Sequence, residues 1–193
     1  TLAEEMTVDA PYASAVEAYL GEALQFIIAS STEAARSGIE YLRGAEEGKA
    51  SFLLLDRLNG RDTPPQLPYA GPEVIGSPLQ FVKVSKALQP AVQHLLGRVV
   101  LVNDLDAALR VASEFNDDSG WELLTPDGLI VDPVGVLTGG VGGDDDTNLL
   151  SRTARIEVLE TELASFTEER DALEEEIAAI AEALNGLLQK RSA

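Results

Sequence analysis

Two hydrophobic rhythms divide this chain. Up to about residue 140, short apolar runs alternate with stretches whose apolar positions recur every three or four residues. That alternation predicts strands interleaved with amphipathic helices. Pro11 opens YASAVEAYLGEAL, a predicted helix that buries Ala15, Val16, Tyr19, Leu20 and Leu24 on one face. QFIIAS is a short apolar strand. Ser31 or Thr32 caps the next helix, TEAARSGIEYLRG, with Glu33 in its first turn. ASFLLLDRL follows as a second strand, whose unbroken apolarity predicts burial on both faces. The order so far is helix, strand, helix, strand.

RDTPPQLPYAGPEVIGSP interrupts this order. Five of its 18 residues are proline, the composition of a linker or an ordered connection. Beyond it, QFVKV is a brief strand, QPAVQHLLG a helix, RVVLVND a strand, and DLDAALRVASEFN an amphipathic helix with an Asn or Asp cap. WELLTPDGLIVDPVGVLTGG then predicts a strand, a turn at Pro126-Asp127-Gly128, and a final strand. The second half repeats the topology of the first and adds a terminal hairpin. No repeat is visible in the residues themselves.

The second rhythm begins at Ile156. Ile156, Leu163, Ile177 and Leu184 share one heptad position, and Leu159, Phe166, Leu173, Ile180 and Leu187 share the other. Alternating steps of three and four define a coiled-coil seam, and the remaining positions are strongly polar. Arg170 alone breaks the first series, a substitution that sets register or loosens the seam locally. A helix over 156–187 would extend about 48 Å at ~1.5 Å per residue. The seam needs a partner, and the short N-terminal flank supplies little of one.

Composition narrows the function classes. The 193 residues are 45% hydrophobic, enough for a packed core. There is no run of 18 apolar residues, and TLAEEMTVDA lacks the basic flank of a signal peptide. The absent initiator Met suggests a fragment. A chain without cysteine forms no disulfide and no thiolate metal site, and a reducing cytosol is its default compartment. The single histidine, His94, sits among apolar neighbours with no nucleophile or carboxylate motif beside it, so it reads as a surface or boundary residue. The formal charge is −19. It is spread along the chain, with 23 acids against 9 bases in residues 1–150 and 10 against 5 in the rest. Uniform acidity repels a phosphate backbone at long range. Asp144, Asp145 and Asp146 lack the spacing of a calcium loop and read as solvated. No metal site or cofactor is expected.

Four glycines then stand out. Gly128, Gly135, Gly139 and Gly140 follow a G-x6-G-x3-G-G spacing in and around the last apolar strand. Glycine weakens a strand interior, so its recurrence there suggests close approach of another backbone. A second subunit is the expected neighbour. A phosphate-cradling loop is the enzymatic alternative, but TGGVGGDDDTN would set three carboxylates where an anion must sit.

Together these segments resemble the hinge domain of SMC (structural maintenance of chromosomes) proteins, most like the bacterial and archaeal ones. PYASAVEAYLG resembles the family's opening helix, with Tyr12, Ala15, Val16, Glu17, Leu20 and Gly21 in place. KASFLLLDRL resembles its a-T-F-L-P-L-D strand, with Leu54 in place of the proline. LGRVVLVNDLDAALRVA resembles the strand–helix unit of the second lobe, and the glycine spacing and following coiled coil also match. The likeness covers about residues 11–192. Strong acidity departs from hinges that carry basic surfaces.

The resemblance implies a mixed α/β, two-lobed hinge followed by a long coiled-coil helix. On it, residues 1–10 end an N-terminal coiled-coil arm, 11–62 form lobe I, and 63–78 connect the lobes. Residues 79–140 then form lobe II, 141–150 a loop, and 151–193 a C-terminal arm. The implied function is non-enzymatic. Two copies dimerise through Gly128, Gly135, Val136, Leu137, Gly139 and Gly140, lobe I of one meeting lobe II of the other. The dimer joins two arms of a cytoplasmic, nucleoid-associated protein, whose ATPase heads and accessory subunits belong to the full-length complex. This chain has no G-x-x-x-x-G-K-[ST] loop of its own. The alternative is a DNA-binding module, weak in affinity, acting through Arg57, Arg61, Lys83, Lys86 and Arg98.

Overall fold

A computed structural model describes residues 1–45, 48–58, 66–67, 69–115, 120–140 and 149–192, without the side chains of 149, 176 and 178–192. Residues 1–154 form one compact unit and residues 155–193 another.

The chain opens with a 3-10 turn (Ala3–Glu5) and strand β1 (Met6–Val8). Residues 1–10 are therefore not the end of a coiled-coil arm. Met6 and Val8 are buried and Thr7 is half-buried, a period of two that is too short to be distinctive in sequence. Helix α1 (Ala13–Leu20) buries Ala15, Val16 and Leu20 as expected, with Tyr19 half-buried. It stops at Gly21, whose φ of +49° breaks the helix, and a 3-10 turn carries Leu24 into the core.

Strand β2 (Ile27–Ala29) pairs in parallel with β3 (Phe52–Leu54), joined through helix α2 (Thr32–Gly44). Ser31 is the cap, its Oγ accepting from the Ala34 N–H at 3.2 Å. Asp56 adds a second, accepting from the Thr32 N–H at 2.8 Å, and that bond first of all holds its carboxyl below the usual range. Gly38 lets α2 lie close on the sheet, since a β-carbon there would stand 2.8 Å from the Phe52 ring. ASFLLLDRL departs from the prediction of a strand buried on both faces. Only three residues are extended, Leu55–Leu58 turns into a short helix (α3), and only Leu53 of the strand is buried. A two-stranded sheet has too little cover for more.

The main sheet has five strands: β4 (Val74–Gly76), β6 (Val99–Val102), β7 (Glu122–Leu124), β8 (Ile130–Asp132) and β9 (Val136–Thr138), in the order β4-β6-β7-β8-β9. Strand β4 falls inside the predicted connection 63–78, between Pro72 and Pro78, and pairs antiparallel with β6 across a register shift. Strand β5 (Val82–Val84) pairs antiparallel with β1 instead.

Strand β6 is fully buried at all four residues. Alternation sends Val99 and Leu101 into one core with Val16, Leu20, Leu96 and Leu124. Val100 and Val102 enter a second core with Ala107, Val111, Leu123 and Val131. Helices α1 and α4 (Gln89–Leu96) supply the first core; α5 (Leu105–Ala112) supplies the second. The unit β6–α5–β7 is a parallel crossover. Asp104 starts α5 by accepting the Ala107 N–H at 2.7 Å. Asp104→Ala is expected to lower stability by about 1 kcal/mol, read as a lower urea midpoint at unchanged slope.

The last apolar segment also differs from its prediction. A turn at Asp132–Gly135 splits it into β8 and β9, so two strands follow Gly128 where one was expected. Helix α6 (Leu149–Ser192) begins two residues before the predicted arm. Its first turns belong to the compact unit, where Leu150 and Ala154 are buried in the first core.

Candidate dimer interface

Strand β9 is one of the two outer strands of the five-stranded sheet, the other being β4. It pairs with β8 on one side (Ile130↔Thr138, Val131↔Leu137, Asp132↔Val136) and has no strand on the other among the described residues. An unpaired edge is a row of free N–H and C=O groups, a template for another chain. Protein edges are commonly blunted by charge, and this one carries none: Val136, Leu137 and Thr138 are all exposed. Consecutive side chains point to opposite faces, so Val136 (59% exposed) and Leu137 (57%) leave both faces uncovered. Leu137 lies opposite Val131, which is buried in the second core. Cover on that face therefore stops one strand short.

The turn presents more apolar surface. Val134 is 67% exposed at its tip, a residue that sequence reasoning passed over. Asp132 fixes the turn, its carbonyl accepting the Gly135 N–H at 2.9 Å and its Oδ1 the Val134 N–H at 2.9 Å. The pattern Asp-Pro-Val-Gly, with Pro second and Gly fourth, is the signal that could have located it.

The glycines divide by cause. Gly128 (φ +86°) closes the β7–β8 turn, donating to the Thr125 carbonyl at 2.9 Å. A β-carbon there would stand 3.1 Å from the Ala18 methyl on α1, so this glycine answers a contact inside its own chain. Gly139 also has an internal neighbour, since a β-carbon would strike the Leu129 side chain. Gly135 (φ +123°) and Gly140 (φ +138°) adopt backbone conformations that favour glycine, and open space lies where their β-carbons would be. Gly135 thus sits in a turn and not in a strand interior.

Behind the sheet face, Tyr19 on α1 donates to Glu122 on β7. Burial first, and the neighbouring Glu122 carboxylate second, push the phenol above its ordinary range.

On α6, Ile156, Leu159, Leu163, Phe166, Leu173 and Ile177 are all exposed, from 46% to 66%. The seam runs uncovered as far as it is described; the side chains of Ile180, Leu184 and Leu187 lie outside the described residues. Arg170 engages acids of its own helix, Asp171 and Glu174, the latter at 3.9 Å.

The five candidate DNA contacts are less coherent. Arg57 on α3 donates to Thr32 Oγ1 at 3.2 Å, and Lys83 on β5 pairs with Asp9 at 3.2 Å. Lys86 and Arg98 are exposed, before α4 and before β6, and Arg98 lies beside Gly120. Arg61 lies outside the described residues, as do Asp144, Asp145 and Asp146. No helix of the described residues is long and apolar enough to cross a membrane.

Mixed sheets, two cores, an open edge strand and a seamed helix define a hinge-type domain. The family model described as the flexible hinge domain of SMC proteins matches residues 1–112, and the chain belongs to that family. The matched stretch ends before the β8–β9 hairpin. The chromosome partition protein Smc of Halothermothrix orenii is 31% identical over 84% of this chain, which spans 14% of that protein's length. A Geobacillus stearothermophilus SMC hinge, crystallised as an asymmetric dimer, is 33% identical, with a TM-score of 0.75 over 92% of this chain and 71% of that one. The Pyrococcus furiosus Smc hinge with an extended coiled coil is 28% identical, with a TM-score of 0.61 over 90% of this chain and 63% of that one.

Proposed function

We propose that this chain is a non-enzymatic dimerisation hinge that joins two coiled-coil arms of a chromosome-partition protein. The observation that carries the reading is β9: an uncharged edge, apolar on both faces and uncovered. A second copy satisfies it. The edge of one protomer docks on residues 11–62 of the other, where the β2–β3 sheet leaves Ile27 42% exposed. Two-fold symmetry then makes each contact twice. The asymmetric dimer of the Geobacillus relative supports self-association, not this symmetry. Gly135 and Gly140 contribute a backbone that needs positive φ and no side chain in the approach path. ATPase heads belong, on this reading, to the far ends of the arms in the full-length protein.

The deciding measurement is solution mass. Light scattering at micromolar concentration is expected to give twice the 20.5 kDa of one chain. A monomer at that concentration would overturn the reading. Engagement of Arg57 and Lys83 within the chain weighs against DNA capture as the primary role.

A further inference from the structure

One carboxylate in the first core has a use that dimerisation does not explain. Glu17 on α1 is 8% exposed. It has no cation within ion-pair range among the described residues. Among the described residues its partners are all at the start of α6: the Leu150 N–H at 3.4 Å, the Ser151 N–H at 3.1 Å, and the Ser151 hydroxyl at 2.8 Å. The first amides of a helix have no acceptor within the helix, and that end carries partial positive charge. A buried carboxylate has the opposite need. Each satisfies the other, across 133 positions of sequence. The dependence is mutual, because displacing α6 leaves Glu17 buried and unpaired, and losing Glu17 leaves two amides open.

The same helix touches the turn that leads into the β8–β9 hairpin. Ala18 is the residue that a β-carbon on Gly128 would meet at 3.1 Å, and the Ser14 carbonyl lies 3.9 Å from that point. Ser14 Oγ in turn lies 3.1 Å from Ser151 Oγ. Ser14, Glu17 and Ala18 are spaced i, i+3, i+4, so they share one side of α1. Tyr19 adds the bond to Glu122 on β7. One short helix therefore bears on the β7–β8 turn and on the first turn of α6 together. Leu150 and Ala154 add buried apolar contacts to the first two turns of α6.

We propose that α1 is a lever between the β7–β8 turn and the start of α6, with Glu17 as its catch. A push at Gly128 shifts α1, draws Glu17 and Ser14 away from Ser151, and frees the first turn of α6 while the sheet stays folded. The coupling belongs to one chain and holds in any oligomeric state. Its use as a relay of docking rests on the dimer reading above.

Amide exchange on the full chain tests the lever without reference to dimerisation. Glu17→Gln keeps the shape but removes the charge, and is expected to speed exchange at Leu150 and Ser151 about tenfold. Gly128→Ala is expected to speed the same amides several-fold from the other end, with Val99–Val102 unchanged. Coupling is reciprocal, so Glu17→Gln should also speed the Gly128 amide, now bonded to Thr125. This readout stands even if Gly128→Ala does not fold. Unchanged exchange at Gly128 in Glu17→Gln would overturn the lever. So would a rise in any variant that β6 shares equally, since that is global loss of stability.

Discussion

Leu137→Lys is expected to convert a dimer into a monomer whose sheet is still folded. Leu137 is 57% exposed in the single chain, so its replacement removes little packing from that chain. In a docked edge the same position is covered, and a lysine there must be desolvated without a carboxylate designed to meet it. Lysine on an edge strand is also a common device for blocking edge-to-edge pairing. Together these effects should weaken association by roughly 100-fold or more, the scale of losing an interface hot spot. Sedimentation should report the monomer while the near-UV circular dichroism of Trp121, packed in the second core, stays the same. Unaltered dimer affinity would place the interface elsewhere. Glycine substitutions give a less clean answer. A side chain at Gly139 would strike Leu129 in its own hairpin, and one at Gly135 would carry the strain of positive φ whether or not a partner is present.

Legibility of the fold in the sequence followed the length of each pattern. Four consecutive apolar residues at 99–102, followed by Asp104 and an amphipathic stretch, were enough to read β6, the cap and α5. The heptads of α6 were equally plain, because their period repeats for several turns. Short elements were not. Strand β1 has three residues of alternation in an acidic context, and β4 has three between prolines, so neither pattern outweighs its surroundings. The β8–β9 turn was hidden in an apolar run, although Asp132-Pro133-Val134-Gly135 has the chemistry of a turn. The glycine motif was legible as a feature and ambiguous as a cause. Only the neighbours of each β-carbon separate Gly128, held by α1, from Gly135 and Gly140, which face open space. The role of Glu17 could not be read at all, since the amides it accepts from are 133 and 134 positions away.

A chain ended after Leu150 is expected to lose about half of its α-helical ellipticity, because α6 holds 44 residues against 8, 13, 4, 8 and 8 in the other helices. The rest of the fold should remain folded at reduced stability. Ala154 leaves the first core with the deleted segment, and Glu17 loses the Ser151 amide and hydroxyl. The intact chain gives the complementary test. Residues 155–193 form a unit whose seam is 46–66% exposed wherever its side chains are described. Isolated helices gain little from propensity alone, and most of their stability in proteins comes from packing an apolar face. Ion pairs such as Arg170–Glu174 add only a few tenths of a kcal/mol each. The helical signal of the full chain should therefore rise with concentration as seams pair, and Leu163→Asp should suppress that rise. Ellipticity independent of both concentration and residue 163 would mean that the heptads serve no partner, and an unchanged spectrum after truncation would remove α6 itself.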